Sequence, residues 1–195
     1  MGEVTATRHR LRGERIHLRP LEAADVERLH EWGRDGGYAR WTGEPPRTLE
    51  QRRRRHRRIE EDGERVFQFA ICRLDDDEIV GQVSLFDIDR VNGSAALGIA
   101  LGPADWGHGL GTDAVNAVVD FGFGELRLER IWLGTAADNV RAQRAYRRAG
   151  FTEEARQRRA YVDRGGLIDE VLMGILRAEW TALPRRRSWD YLEDG

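Results

Sequence analysis

Trp106-Gly107-His108-Gly109-Leu110-Gly111-Thr112-Asp113 is the stretch on which the reading of this chain turns. Its glycines alternate with side chains, after a strand-like run and before a helix-like one. Glycine permits sharp backbone turns and close approach of a ligand. The amides of such a loop, together with the N–H groups of the following helix, form a site for a pyrophosphate. A tight turn without any ligand is the alternative. The spacing is not the dinucleotide fingerprint, whose third glycine stands elsewhere and whose acidic residue follows about 20 positions on.

Upstream, residues 66–74 and 78–88 alternate as strands do: Phe67, Phe69 and Ile71 share one face, as do Val83 and Leu85. The acidic run 75–78 reads as the turn between them. Asn92-Gly93 signals a second hairpin into a strand over 95–101. The middle of the chain is thus an antiparallel meander, unlike a βαβ unit. Before it, residues 15–19 suit a strand stopped at Pro20. Residues 22–34 suit a helix ended by Gly36-Gly37, and Thr48 caps a second helix to Asp62. Downstream, Ala114, Val118 and Phe121 recur at helical spacing. A strand over 130–135, a helix over 139–149 ended by Gly150, and strands from Phe151 and over 168–176 follow.

Composition bounds the function. The 195 residues suggest one domain, over 14–178, with a loose tail at 1–13 and another at 179–195. A net charge of −2 disfavours a nucleic-acid binder. The single cysteine, Cys72, excludes an internal disulfide framework and suits a reducing cytoplasm. No apolar run is long enough for a membrane span, and the polar residues 1–13 do not read as a secretory signal. All 32 basic residues are arginine. Without lysine the chain forms no lysine Schiff base and no Walker-type phosphate loop.

A second motif joins the first. In residues 139–151, Asn139 opens and caps a helix, and Tyr146 lies two turns along the same face. A capped helix with a core tyrosine is the plainer alternative. Taken in order, the glycine loop and this helix resemble the GNAT superfamily of N-acetyltransferases, over roughly residues 14–178. The loop resembles that family's Q/R-x-x-G-x-G/A pyrophosphate loop, matched by Trp106, Gly109 and Gly111, with Trp106 in place of Gln or Arg. The loop from Asp105 to Thr112, of D-W-G-x-G-x-G-T style, looks most like the Rim-type branch, which acetylates ribosomal-protein N-termini and has relatives that modify polyamines and antibiotics.

The resemblance implies a GNAT fold of α/β (α+β) class. A mixed, mostly antiparallel sheet of six to seven strands would be flanked by about four helices and splayed near 95–101 to admit coenzyme A. It implies direct transfer of an acetyl group from acetyl-CoA to a primary amine, on a protein N-terminus or a small molecule, without a metal. Backbone groups of Ile99, Ala100 and Leu101 would hold the pantetheine arm. Trp106, Gly107, His108, Gly109, Leu110, Gly111 and Thr112 would hold the pyrophosphate, and Asn139 and Arg144 would contact the coenzyme. Tyr146 would protonate the leaving thiolate, since a phenol and a thiol have nearby pKa values. Tyr38 and Trp41 would line the acceptor cleft, with Trp32 in the core. A homodimer follows by analogy.

The base is open at this stage. Relatives carry a glutamate where this chain has Ala96. Asp87 and Asp89 are the leading substitutes, ahead of His108, Asp163 and Glu170. The missing glutamate keeps alive a rival, an acyl-CoA-binding module with lost or weak catalysis. The run 52–58 (RRRRHRR) invites an RNA-binding reading, but its acidic flanks favour a solvated helix face. In this fold the run would border the acceptor cleft and could select an acidic acceptor over a polyamine. The histidines show no metal-ligand spacing, and 75–78 lacks that of a calcium loop.

Overall fold

The computed structural model describes residues 11–61, 63 and 65–192. Strands β1 (Leu11–Arg12) and β2 (Ile16–Pro20) lead into helices α1 (Asp25–Trp32), α2 (Gly36–Thr42) and α3 (Leu49–Glu61). The meander is β3 (Phe67–Arg73), β4 (Ile79–Asp89) and β5 (Ser94–Leu101). Then come α4 (Leu110–Gly124), β6 (Arg130–Ala136), α5 (Val140–Arg148), the long hairpin β7 (Thr152–Asp163) and β8 (Gly166–Leu176), and α6 (Arg177–Ala182). Among the described residues one eight-stranded sheet results, in the order β1-β2-β3-β4-β5-β6-β8-β7. Among the described residues its pairings are antiparallel except β5 with β6.

The alternation in β3 and β4 sorts side chains to two faces. Phe67 pairs with Leu85 and Phe69 with Val83, on the face that α4 covers. Phe67 and Phe69 each meet Phe121 edge-on at 5.2 Å, the arrangement that aromatic quadrupoles favour. Ala70 and Cys72 turn to the other face and are buried with Leu21 and Leu29. Helix α4 is apolar nearly all round because it runs through the main core, between the sheet and the C-terminal segment.

Several expectations are corrected. The sheet has eight strands rather than six or seven, since the short β1 pairs with β2. Residues 1–10 of the expected N-terminal tail lie outside the described residues, but Leu11 is buried in the core. There are six helices rather than about four among the described residues. Gly36-Gly37 does not merely stop a helix; it begins α2, because the Asp35 side chain accepts a hydrogen bond from Tyr38 N at 2.9 Å and caps a new one. Thr48 Oγ1 caps α3 as expected, accepting from Gln51 N at 3.2 Å. Asp62, the expected end of that helix, lies outside the described residues.

Residues 179–192 are not a loose tail. Asp120, 1 % exposed, accepts hydrogen bonds from Trp180 Nε1 at 2.8 Å, Ser188 N at 2.8 Å and Arg185 Nη2 at 2.6 Å. A buried carboxylate needs such partners, and here they fasten the end of the chain onto α4. No described helix is long and apolar enough to cross a membrane.

Candidate active site

Strands β5 and β6 pair only at Ser94–Arg130, Ala95–Ile131 and Ala96–Trp132. Beyond that point β5 stays bonded to β4 as far as Leu101–Gly81, and β6 stays bonded to β8 as far as Ala136–Glu170. Residues 97–101 therefore offer one backbone edge to a gap inside the sheet. A cavity of about 1370 Å³ occupies the gap and extends beneath α2 and α3. Most expected contacts line it. From β5 and the loop come Ile99, Ala100, Leu101, Trp106, Gly107, Gly109, Gly111 and Thr112. From α5 and its cap come Asn139, Arg144 and Tyr146, and from α2 come Tyr38 and Trp41.

Backbone conformation explains the loop sequence. Gly107 and Gly109 have φ of +84° and +83°, a region that favours glycine. A side chain at Gly107 would meet nothing within 4 Å, so the turn, not packing, requires the residue, and the space above it is open. No side chain caps the start of α4, which leaves first-turn N–H groups for an anion. The loop is tied down from outside. Asp113 accepts from the backbone N–H of Glu14 and Arg15 at 3.0 and 2.8 Å, and Arg15 Nη1 donates to the His108 carbonyl at 2.9 Å.

Trp106 fills the place of the family's Gln or Arg in a way its identity did not announce. Its Nε1 donates to the Leu101 carbonyl at 2.8 Å, and the Arg141 guanidinium stacks 3.9 Å above its ring. Strand end, loop and α5 are thereby joined across the groove. The Asn139 side chain caps α5 by accepting from Ala142 N at 3.2 Å, and Gln143 Nε2 donates to the Ala137 carbonyl at 2.9 Å. Tyr146 is buried against Phe151, and burial pushes its phenol up to about 12.

Not every expected residue arrives. Leu110 is buried in the core rather than lining the cavity, and the His108 side chain is exposed outside it. Asp87 and Asp89 are not brought to the cavity either. Asp87 sits at the bulge of β4 with φ +50°. Asp89 is occupied in the turn, accepting from the N–H groups of Val91 and Asn92 at 2.9 Å each, which holds its carboxyl below the usual range.

The weaker candidates Asp163 and Glu170 do line it. Arg40 engages Asp163 with two bonds of 3.1 and 2.8 Å, reaches Asp138 at 2.5 Å, and stacks 4.2 Å over Trp41. Glu170 accepts from the Tyr161 hydroxyl at 2.7 Å. Burial, Glu170 and neighbouring Tyr146 all raise the Tyr161 phenol. Gly134 makes room for this pair, since a Cβ there would lie 2.0 Å from Glu170 Oε1. Tyr161, Gly134, Arg141 and Gln143 were not anticipated. Tyr161 and Glu170 are cavity neighbours only because β7 and β8 form a hairpin, and no local spacing encodes that.

In the arginine run, Arg54 and Arg57 pair with Glu50, and Arg53 pairs with Glu27, on the solvated side. Arg52, Arg55 and the buried His56 face the cavity instead. Tyr38, 2 % exposed, is pushed up to about 12 mainly by burial.

Comparison with known proteins agrees with this geometry. The family described as "Acetyltransferase (GNAT) domain" matches residues 15–152. The probable N-acetyltransferase YjcK of Bacillus subtilis is 34% identical over 179 residues, covering 87% of this chain and 98% of its own. Spermidine N(1)-acetyltransferase of Escherichia coli is 29% identical over 169 residues, covering 86% and 89%. The crystal structure of spermidine N-acetyltransferase from Vibrio cholerae, in complex with CoA and spermine, superposes with a TM-score of 0.80 at 24% identity, covering 85% of this chain and 98% of that one. The chain belongs to the GNAT acetyltransferase family and is an N-acetyltransferase that draws its acetyl group from acetyl-CoA and passes it to an amine.

Proposed function

We propose that the gap between β5 and β6 receives the acetylated arm of coenzyme A, and that Glu170 and Tyr146 handle the protons of direct transfer to a primary amine. The observation that carries this reading is the early end of the β5–β6 ladder, at Ala96–Trp132, in a cavity that Tyr146 and Glu170 both line.

The residues suit the coenzyme. The open loop with two left-handed glycines and the uncapped start of α4 supply N–H groups for linked phosphates. Arg144 follows Arg141 on the next step of the α5 surface and adds positive charge. The bound coenzyme contributes a thioester with an electrophilic carbonyl carbon.

The chain's own groups do the rest. Main-chain N–H groups on the free edge of β5 polarise the carbonyl, as preorganised donors do for a developing oxyanion. The amine arrives as an ammonium, and Glu170 accepts its proton through the Tyr161 hydroxyl. The nitrogen then bonds to the carbonyl carbon and the C–S bond breaks with its electron pair on sulfur. Tyr146 delivers its proton there, and the second nitrogen proton returns through solvent to restore the phenol. Glu170 thus replaces the carboxylate that relatives carry at the Ala96 position, and no step calls for a metal.

The Rim-type branch belongs to the same proposal, supported by the loop Asp105-Trp106-Gly107-His108-Gly109-Leu110-Gly111-Thr112; so do a homodimer and a cytoplasmic setting in which Cys72 stays reduced. Acetyl-CoA calorimetry followed by thiol release over an amine panel tests the reading. Binding with release upholds it. Binding without release from any amine would instead favour the acyl-CoA-binding module, and absence of binding would defeat both.

A further inference from the structure

The cavity continues past the thioester position beneath α2 and α3, and its charges there are unbalanced. Among the described residues, the four carboxylates that line the cavity are all engaged: Glu170 by Tyr161, Asp163 by Arg40, Asp105 by Arg73 at 3.2 Å, and Glu44 by Arg52 and Arg55 at 2.6 Å each. Glu44 therefore serves two guanidiniums with one negative charge. Arg47 lines the same cavity, is half-buried, and makes no ion pair among the described residues. Its Nε is buried without a hydrogen-bond partner. So is the Nε of Arg52, whose side chain is only 10 % exposed. Buried donors without partners are costly, and a ligand that supplies acceptors relieves that cost. Three guanidiniums against one carboxylate leave a surplus of two positive charges facing the cavity.

We propose that Arg47, with Arg52 and Arg55, forms a subsite for a carboxylate carried by the acceptor, so that this enzyme acetylates amines borne on acidic molecules. The proposal rests on the acetyl-transfer reading above. Guanidinium donors match a carboxylate in geometry as well as in charge. A polyamine entering the same space would meet the surplus with its remaining ammonium groups and be repelled. The relatives named as spermidine acetyltransferases share the fold, while this wall points to a different acceptor. The carboxylate can come from an acidic peptide N-terminus or from a free amino acid, and both supply the same chemistry.

The test measures kcat/KM with acetyl-CoA for three acceptor classes: short peptides with Asp or Glu after the N-terminal residue, free aspartate and glutamate, and spermidine or the matching lysine peptides. The wild-type enzyme is expected to prefer acidic acceptors, with the peptide and amino-acid arms telling the source apart. In Arg47→Glu the acidic-to-basic ratio of kcat/KM should fall about tenfold or more, while Arg47→Gln gives a smaller fall. Preference for spermidine, or a ratio unmoved by Arg47→Glu, overturns the inference and leaves acetyl transfer standing. A loss of acetyl-CoA affinity in Arg47→Glu equal to the loss in activity also overturns it, by assigning the residue to the coenzyme. No thiol release with any amine, despite acetyl-CoA binding, removes the transfer reading and this subsite with it.

Discussion

The indole Nε1 of Trp106 is bonded to the carbonyl of Leu101 at 2.8 Å, so the last residue of the splayed strand and the first residue of the glycine loop are held as one unit. The Arg141 guanidinium over the same ring extends that unit to α5. Trp106→Phe keeps the ring and removes the bond. We expect acetyl-CoA affinity to fall about fivefold, the equivalent of one hydrogen bond near 1 kcal/mol. Calorimetry of the variant checks this, and an unchanged Kd would show the bond to be idle in binding.

Tyr146 should act as an acid over the whole working range. Burial raises its phenol to about 12, so the neutral, proton-bearing form persists below that pH and is lost only as pH rises through it. No alkaline fall in kcat from this residue is therefore expected up to about pH 10. Tyr146→Phe should lower kcat by about 10²-fold while moving the acetyl-CoA Kd by less than about twofold. Undiminished turnover would take the residue out of the mechanism.

Glu170→Gln removes the proposed base. We expect kcat/KM to drop by about 10²-fold across the pH profile. Asp89→Asn serves as the contrast. It loosens the turn at Val91 and Asn92 but sits outside the cavity, so its profile should overlay that of the wild type. The reverse pattern would return the role to Asp89.

Gly134→Ala tests the same carboxylate without touching it. The added methyl would lie 2.0 Å from Glu170 Oε1, which must swing away from Tyr161. The expected result is a lower kcat with little change in acetyl-CoA affinity, read from steady-state kinetics and calorimetry together. Equal losses in both would indicate general damage to the sheet instead.

Asp120→Ala leaves Arg185 without its partner and frees Trp180 and Ser188. Breaking a buried pair of this kind costs about 3–5 kcal/mol. Urea unfolding should show that loss, whereas a cost below about 1 kcal/mol would mean the C-terminal segment is not fastened in solution.

The strands of the meander and the helices α3, α4 and α5 were legible because their signals are local. Phe67, Phe69 and Ile71 repeat every second residue, Thr48 and Asn139 stand at helix starts, and Gly109 and Gly150 at the ends of turns. The glycine loop was legible for the same reason: its glycines carry their backbone requirement with them. Helix α2 was misread because Gly36-Gly37 looks like a stop until the Asp35 cap is seen.

The sequence by itself determined the fold class, the loop and the tyrosine on α5, since each rests on residues within a few turns of one another. Only the tertiary structure decided which carboxylates line the cavity. Glu170 gains Tyr161 from across a hairpin and space from Gly134 on a neighbouring strand, while Asp89 is drawn into its own turn. Such choices depend on which chain segments become neighbours, and pairing across a sheet leaves no mark in the spacing of the residues it joins.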